Sequence, residues 1–85
     1  PESLQKLFQY KKQQRQELIL TLNTYLDRNQ NLTKTAQELF IHYKTAAYRI
    51  DRIVKITGID MNNASEVLAV RIGLIVHRMI ENMKR

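Results

Sequence analysis

The chain has 85 residues and a formal charge of +6, from 14 Lys and Arg against 8 Asp and Glu. That length supports one domain whose folding hides about 64% of the unfolded surface, which leaves little room for an enclosed cleft. With no Cys, two Gly and one Pro, the composition excludes disulfide frameworks, thiolate chemistry and a turn-rich all-β fold.

Punctuation is sparse, so the predicted elements are helices. Leu4, Leu7 and Phe8 form a short helical stripe, followed by a polar and basic stretch over 10–16. Leu18, Ile19, Leu22, Tyr25 and Leu26 recur at i, i+3 and i+4 spacing, the mark of a helix with one buried face. This second helix is expected over 13–28, and the turn-prone Asn29, Gln30 and Asn31 end it. Asn31 is placed to N-cap a short third helix over 32–39, accepting from the Lys34 amide. Its inward residues are Leu32, Ala36 and Leu39.

Phe40, Ile41 and His42 then make a break that contains no Gly or Pro. A fourth helix is expected over 43–56, with Ala46, Ile50, Ile53 and Val54 inward. Thr57 and Gly58 close it, with Gly58 suited to a left-handed C-terminal position. After a linker, Asn63 to Glu66 has the form of a capping box. It opens a last helix over 64–83. That helix is apolar nearly all round, a pattern normally buried on every side. The architecture predicted is an all-α small helical bundle with a long apolar C-terminal helix.

A short helix, a three-residue break and a longer basic helix have the form of a helix-turn-helix, with a core over 32–57. The outward face of the second member carries Lys44, Thr45, Tyr48, Arg49, Arg52 and Lys55. The net charge over 40–57 is +3. Arg and Lys donate to guanine edges, and Thr and Tyr bond phosphates or bases. Thr33, Lys34 and Thr35 occupy the first turn of the preceding helix, where amides and the helix dipole favour a phosphate oxygen. Some of these residues carry a second reading. Arg49 is a DNA contact or a brace paired with Glu38. Tyr48 and Thr45 are contacts or local packing groups. His42 reads first as a helix cap and second as a base reader.

The residues Thr21-Leu22, Tyr25-Leu26, Asn29 to Asn31, Thr35-Ala36, Leu39, His42, Thr45, Tyr48-Arg49 and Thr57-Gly58-Ile59-Asp60 resemble the C-terminal helix-turn-helix of the PucR/CdaR family. Members are bacterial regulators of purine and sugar-diacid catabolism, among others. The resemblance covers about residues 18–74, and the turn and following helix are also similar to the Fis type. It implies a transcription-regulator output module acting in the cytoplasm, with double-stranded DNA as partner and effector sensing in an N-terminal sensor domain. It places His42, Thr45, Tyr48 and Arg49 on the family motif. The family usually has Asn where this chain has Lys44, and commonly Arg where it has Tyr43. Both positions lie near the groove-facing start of the reading helix, so two alternatives stand: an operator that departs from the usual one, or rearranged contacts.

The competing reading is a protein-interaction or dimerisation bundle acting through Leu68, Ile72, Gly73, Ile75, Val76 and Met79. Two dispositions of the last helix are open. One side packs on the bundle while the other meets a second copy or the sensor domain, or the first helix wraps over that second side. Peripheral membrane and RNA binding rank lower, for want of a bulky apolar face on the basic helix and of a stacking sheet. His42 and His77 are isolated and give no metal spacing. The N-x-[ST] sequons at Asn31 and Asn63 read as caps. No cofactor and no catalytic constellation are expected. The N-terminal residues carry no apolar signal region. The chain begins on Pro1 and reads as the C-terminal part of a longer regulator.

Overall fold

Five helices build the computed structural model, which describes residues 2–8 and 11–84. They are α1 (Glu2–Phe8), α2 (Lys12–Asp27), α3 (Leu32–Leu39), α4 (Tyr43–Thr57) and α5 (Ala64–Met83), with no strand among the described residues. The all-α expectation holds. Tyr10, within the polar stretch, lies outside the described residues.

α2 is the hub, touching each of the other four helices. Its Leu18, Leu22 and Leu26 meet Ile50 and Ile53 of α4, Val70 and Leu74 of α5, Leu4 and Leu7 of α1, and Ile59 of the linker. Arg15 ties α1 to α2 by donating from Nη1 to the Phe8 carbonyl (2.8 Å).

Four threonines, Thr21, Thr24, Thr35 and Thr57, are buried with these apolar groups. Each hydroxyl donates to the carbonyl four residues back, at 2.7 to 2.9 Å. With its polar atom satisfied within its own helix, a threonine packs as a small β-branched apolar residue.

The caps set the helix lengths. Asn31 Oδ1 accepts from the Lys34 amide (2.9 Å), as expected. Asn63 Oδ1 accepts from the Glu66 amide (3.1 Å), but the reciprocal half of the capping box does not form. Glu66 Oε1 accepts instead from the Asp60 amide (3.3 Å), fastening the linker to the first turn of α5. Gly58 ends α4 at φ 72°, its amide donating to the Val54 carbonyl (2.8 Å). A Cβ at Gly58 would meet nothing within 4 Å, so replacement acts on the backbone alone. Gly58→Ala is therefore expected to cost about 1 kcal/mol and lower the thermal midpoint by about 5 °C. A midpoint unchanged by calorimetry would contradict the left-handed cap.

α5 packs on the bundle by one side only, as the first of its two expected dispositions has it; the wrap by α1 does not occur. Only Val70 and Leu74 are buried. Phe8 of α1 stacks on His77 at the flank, with ring centroids 4.1 Å apart. The outward side remains open, so α1 does not wrap it. Leu68, Ile72, Ile75, Val76, Met79, Ile80 and Met83 are all exposed. Gly73 is half-buried and lines the groove beside α1, away from the centre of that open face.

Candidate nucleic-acid interface

The turn between α3 and α4 is made without glycine. Phe40 adopts φ 55° and ψ 42°, and its amide and that of Ile41 close α3 on the Gln37 and Ala36 carbonyls (3.3 and 3.0 Å). The Phe40 ring is 95% exposed, so it contributes little packing to the corner. His42 then opens α4, its Nδ1 accepting from the Lys44 amide (3.0 Å). The ring nitrogen is committed to the cap, which favours the structural reading of His42 over base reading.

α4 sits on α2 and α3 through Ala46, Ile50 and Ile53, all buried. The helical period therefore turns Lys44, Tyr48, Asp51 and Lys55 outward. All four are exposed, Tyr48 at 63%. Asp51 and Lys55 pair with each other at 2.9 Å. No carboxylate pairs with Lys44 among the described residues. The start of α4 thus presents a cation and a phenol, and the acid lies one turn further on. Thr45 and Arg52 are half-buried at the side facing α2. With Gln14, Glu17, Tyr48 and Arg49 they line a shallow groove of about 260 Å³.

Arg49 braces the helix pair, but with a different partner from the one expected. Its guanidinium lies 3.6 Å from Glu17 on α2 and 3.4 Å from the Thr21 hydroxyl. Glu38 is engaged by Arg28 at 2.6 Å. The Arg49 side chain is 21% exposed, so it is more a strut between α2 and α4 than a free contact. Tyr43 is half-exposed. Burial raises the Tyr25 phenol above its ordinary pKa, and the neighbouring Tyr43 hydroxyl adds to the rise.

The first turn of α3 divides the expected phosphate set. Thr33 and Lys34 are exposed. Thr35 is fully buried, with its hydroxyl and amide both bonded to the Asn31 carbonyl. Its expected role as a phosphate contact is therefore corrected: the residue is a core group. Sequence periodicity missed this because threonine is read by default as polar. The repeated pairing of Thr with an apolar or small neighbour (Thr21-Leu22, Thr35-Ala36, Thr57-Gly58) was the available signal. Among the described residues, no group of three His, Asp or Glu could hold a metal ion.

Residues 18–76 match the family model described as the PucR C-terminal helix-turn-helix domain. The chain is similar to the purine catabolism regulatory protein of Bacillus subtilis, 30% identical over 82% of this chain and 13% of that protein. It is similar to the DNA-binding transcriptional activator AdeR of Bacillus subtilis, 29% identical over 91% of this chain and 18% of that protein. It is also similar to the proline-responsive transcriptional activator PutR of the same organism, 43% identical over 55% of this chain and 11% of that protein. The chain thus spans less than a fifth of each of these relatives. No solved structure matches it.

Proposed function

Because the chain belongs to the family of PucR C-terminal helix-turn-helix domains, we propose that it is the sequence-specific DNA-binding module of a bacterial transcriptional regulator, with α4 as the helix that enters the major groove. The observation that carries this reading is the start of α4. A capped N-terminus there presents the unpaired Lys44 beside exposed Tyr48, above a core that fixes the helix to α2 and α3. Lys44 donates to a base edge, and Tyr48 and Thr45 reach phosphate or base. Lys34 and Thr33 hold a backbone phosphate at the start of α3. Arg49 and Arg52 set the tilt of α4 against α2 as much as they contact DNA, and Tyr43 flanks the groove-facing end.

The role is non-enzymatic, in keeping with relatives that are transcription regulators. Among the described residues, no helix is long and apolar enough to cross a membrane. We place the module in the cytoplasm with the DNA it reads. Effector sensing is assigned to the rest of a longer regulator, in line with the length of the relatives.

The test is binding to duplex DNA at two salt concentrations, followed by selection from a random duplex pool. About four phosphate contacts would make affinity fall roughly a hundredfold for a fourfold rise in salt. The pool should converge on one motif. Binding that is insensitive to salt, or a pool that stays random, would overturn the proposal.

A further inference from the structure

The outward side of α5 is inverted relative to an ordinary surface helix. At 100° per residue, Leu68, Ala69, Ile72, Ile75, Val76, Met79, Ile80 and Met83 fall in one arc of about 140°. All eight are exposed. The helix's charged residues, Glu66, Arg71, Arg78 and Glu81, fall outside that arc, toward the bundle and its flanks. Arg71 is drawn to Asp27 of α2 at 2.9 Å. A monomer in water places charge outward and apolar groups inward; here the outermost face of a 20-residue helix has no charge at all. The face continues into a groove of about 630 Å³ against α1, lined by Ile72, Val76, Ile80, Leu4 and Phe8.

We propose that this face is covered by the same face of a second copy of the chain. Two features of the molecule favour that occupant. The first is charge. Each copy carries +6, which opposes self-association over most of the surface, and this uncharged arc lets two copies meet without like charges opposed. It also offers nothing to DNA. The second is area. The exposed apolar side chains of the arc amount to about 700 Å² per copy, close to the roughly 800 Å² per partner of a stable interface. The whole chain exposes 6016 Å², which is about 700 Å² more than size scaling gives for a monomer of its mass. Leu68, Ile72, Ile75 and Met79 follow the 4-3-4 spacing with which helices interlock, and a two-fold axis near Ile75 brings each residue set onto its own mate. This pairing does not rest on the DNA reading, and its test contains no DNA.

Sedimentation equilibrium of the 85-residue chain across the micromolar range is the measurement. The expected result is a species of twice the 10.1 kDa chain mass. Ile72→Glu and Ile75→Glu should weaken it by about a hundredfold. Helix content by circular dichroism should be unchanged, since both side chains are already half in solvent. The chain has no cysteine, so Ile75→Cys gives an independent readout: mild oxidation should yield a disulfide-linked dimer, and Lys44→Cys should not. A single-chain mass at every concentration would overturn the proposal, as would a dimer indifferent to both glutamates. A monomer that partitions onto lipid vesicles would overturn it in favour of a membrane surface.

Discussion

Ile53→Ala is expected to lower the free energy of unfolding by about 3 kcal/mol, read as a shift of the denaturant midpoint at constant slope. Ile53 is 0% exposed and sits where α4 meets the apolar stripe of α2. Removing three carbons there leaves a void that the rigid helix pair fills only in part. A chain of this length has a total stability of about 4 to 13 kcal/mol, so this one change takes a large share. Val54→Ala is the matched comparison: the neighbouring side chain is half-buried, and its loss should cost about 1 kcal/mol. Equal effects of the two substitutions would mean that α4 is not seated as described. Because the reading helix and the core helix are one element, Ile53→Ala should also reduce DNA affinity near the melting range and leave sequence preference intact.

Lys44→Ala is expected to weaken binding to the selected duplex about ten- to a hundredfold and to relax preference at one base position. Lys34→Ala should act differently, lowering affinity evenly across sequences and reducing the salt slope by about one. Arg49→Ala gives a third signature. Its guanidinium is engaged with Glu17 and Thr21, so the loss should appear partly as stability and partly as affinity. Glu17→Ala should reproduce the stability part, since it breaks the brace and leaves the Arg49 cation in place. Titration of the three variants on a base-substituted duplex series separates them. A Lys44→Ala module with full affinity and unchanged preference would remove α4's start from the reading surface.

The starts of α3, α4 and α5 and the end of α4 were legible because each carries a residue whose chemistry acts locally. Asn31, His42 and Asn63 cap with their own side chains, and Gly58 supplies a left-handed backbone. Such signals need no knowledge of the tertiary fold. The partners of long side chains were not legible in the same way. The sequence reading pairs Arg49 with Glu38, and only the crossing of α2 on α4 brings Glu17 to it instead. Thr35 illustrates a second limit: its hydroxyl is satisfied within the helix, so a residue read as polar is free to enter the core. The Glu66 carboxylate illustrates a third. The spacing gives it the Asn63 amide, but the linker turns that amide to the Asp60 carbonyl (3.1 Å) and presents the Asp60 amide instead. For α5, the all-round apolar pattern showed that two faces needed cover. Which face the bundle takes depends on Val70 and Leu74 meeting α2, a contact no local rule supplies.

Two contacts join the C-terminal part of the chain to the end of α2. Gln30 Nε2 donates to the Met61 carbonyl (2.9 Å), and Arg71 holds Asp27. Asn31, which caps α3, is the next residue along. The corner is therefore a fastened joint: the linker, the outer helix and the first helix of the reading pair share one anchorage on α2. The linker, α5 and the start of α3 are thus tied to one end of α2, the helix on which α4 also rests.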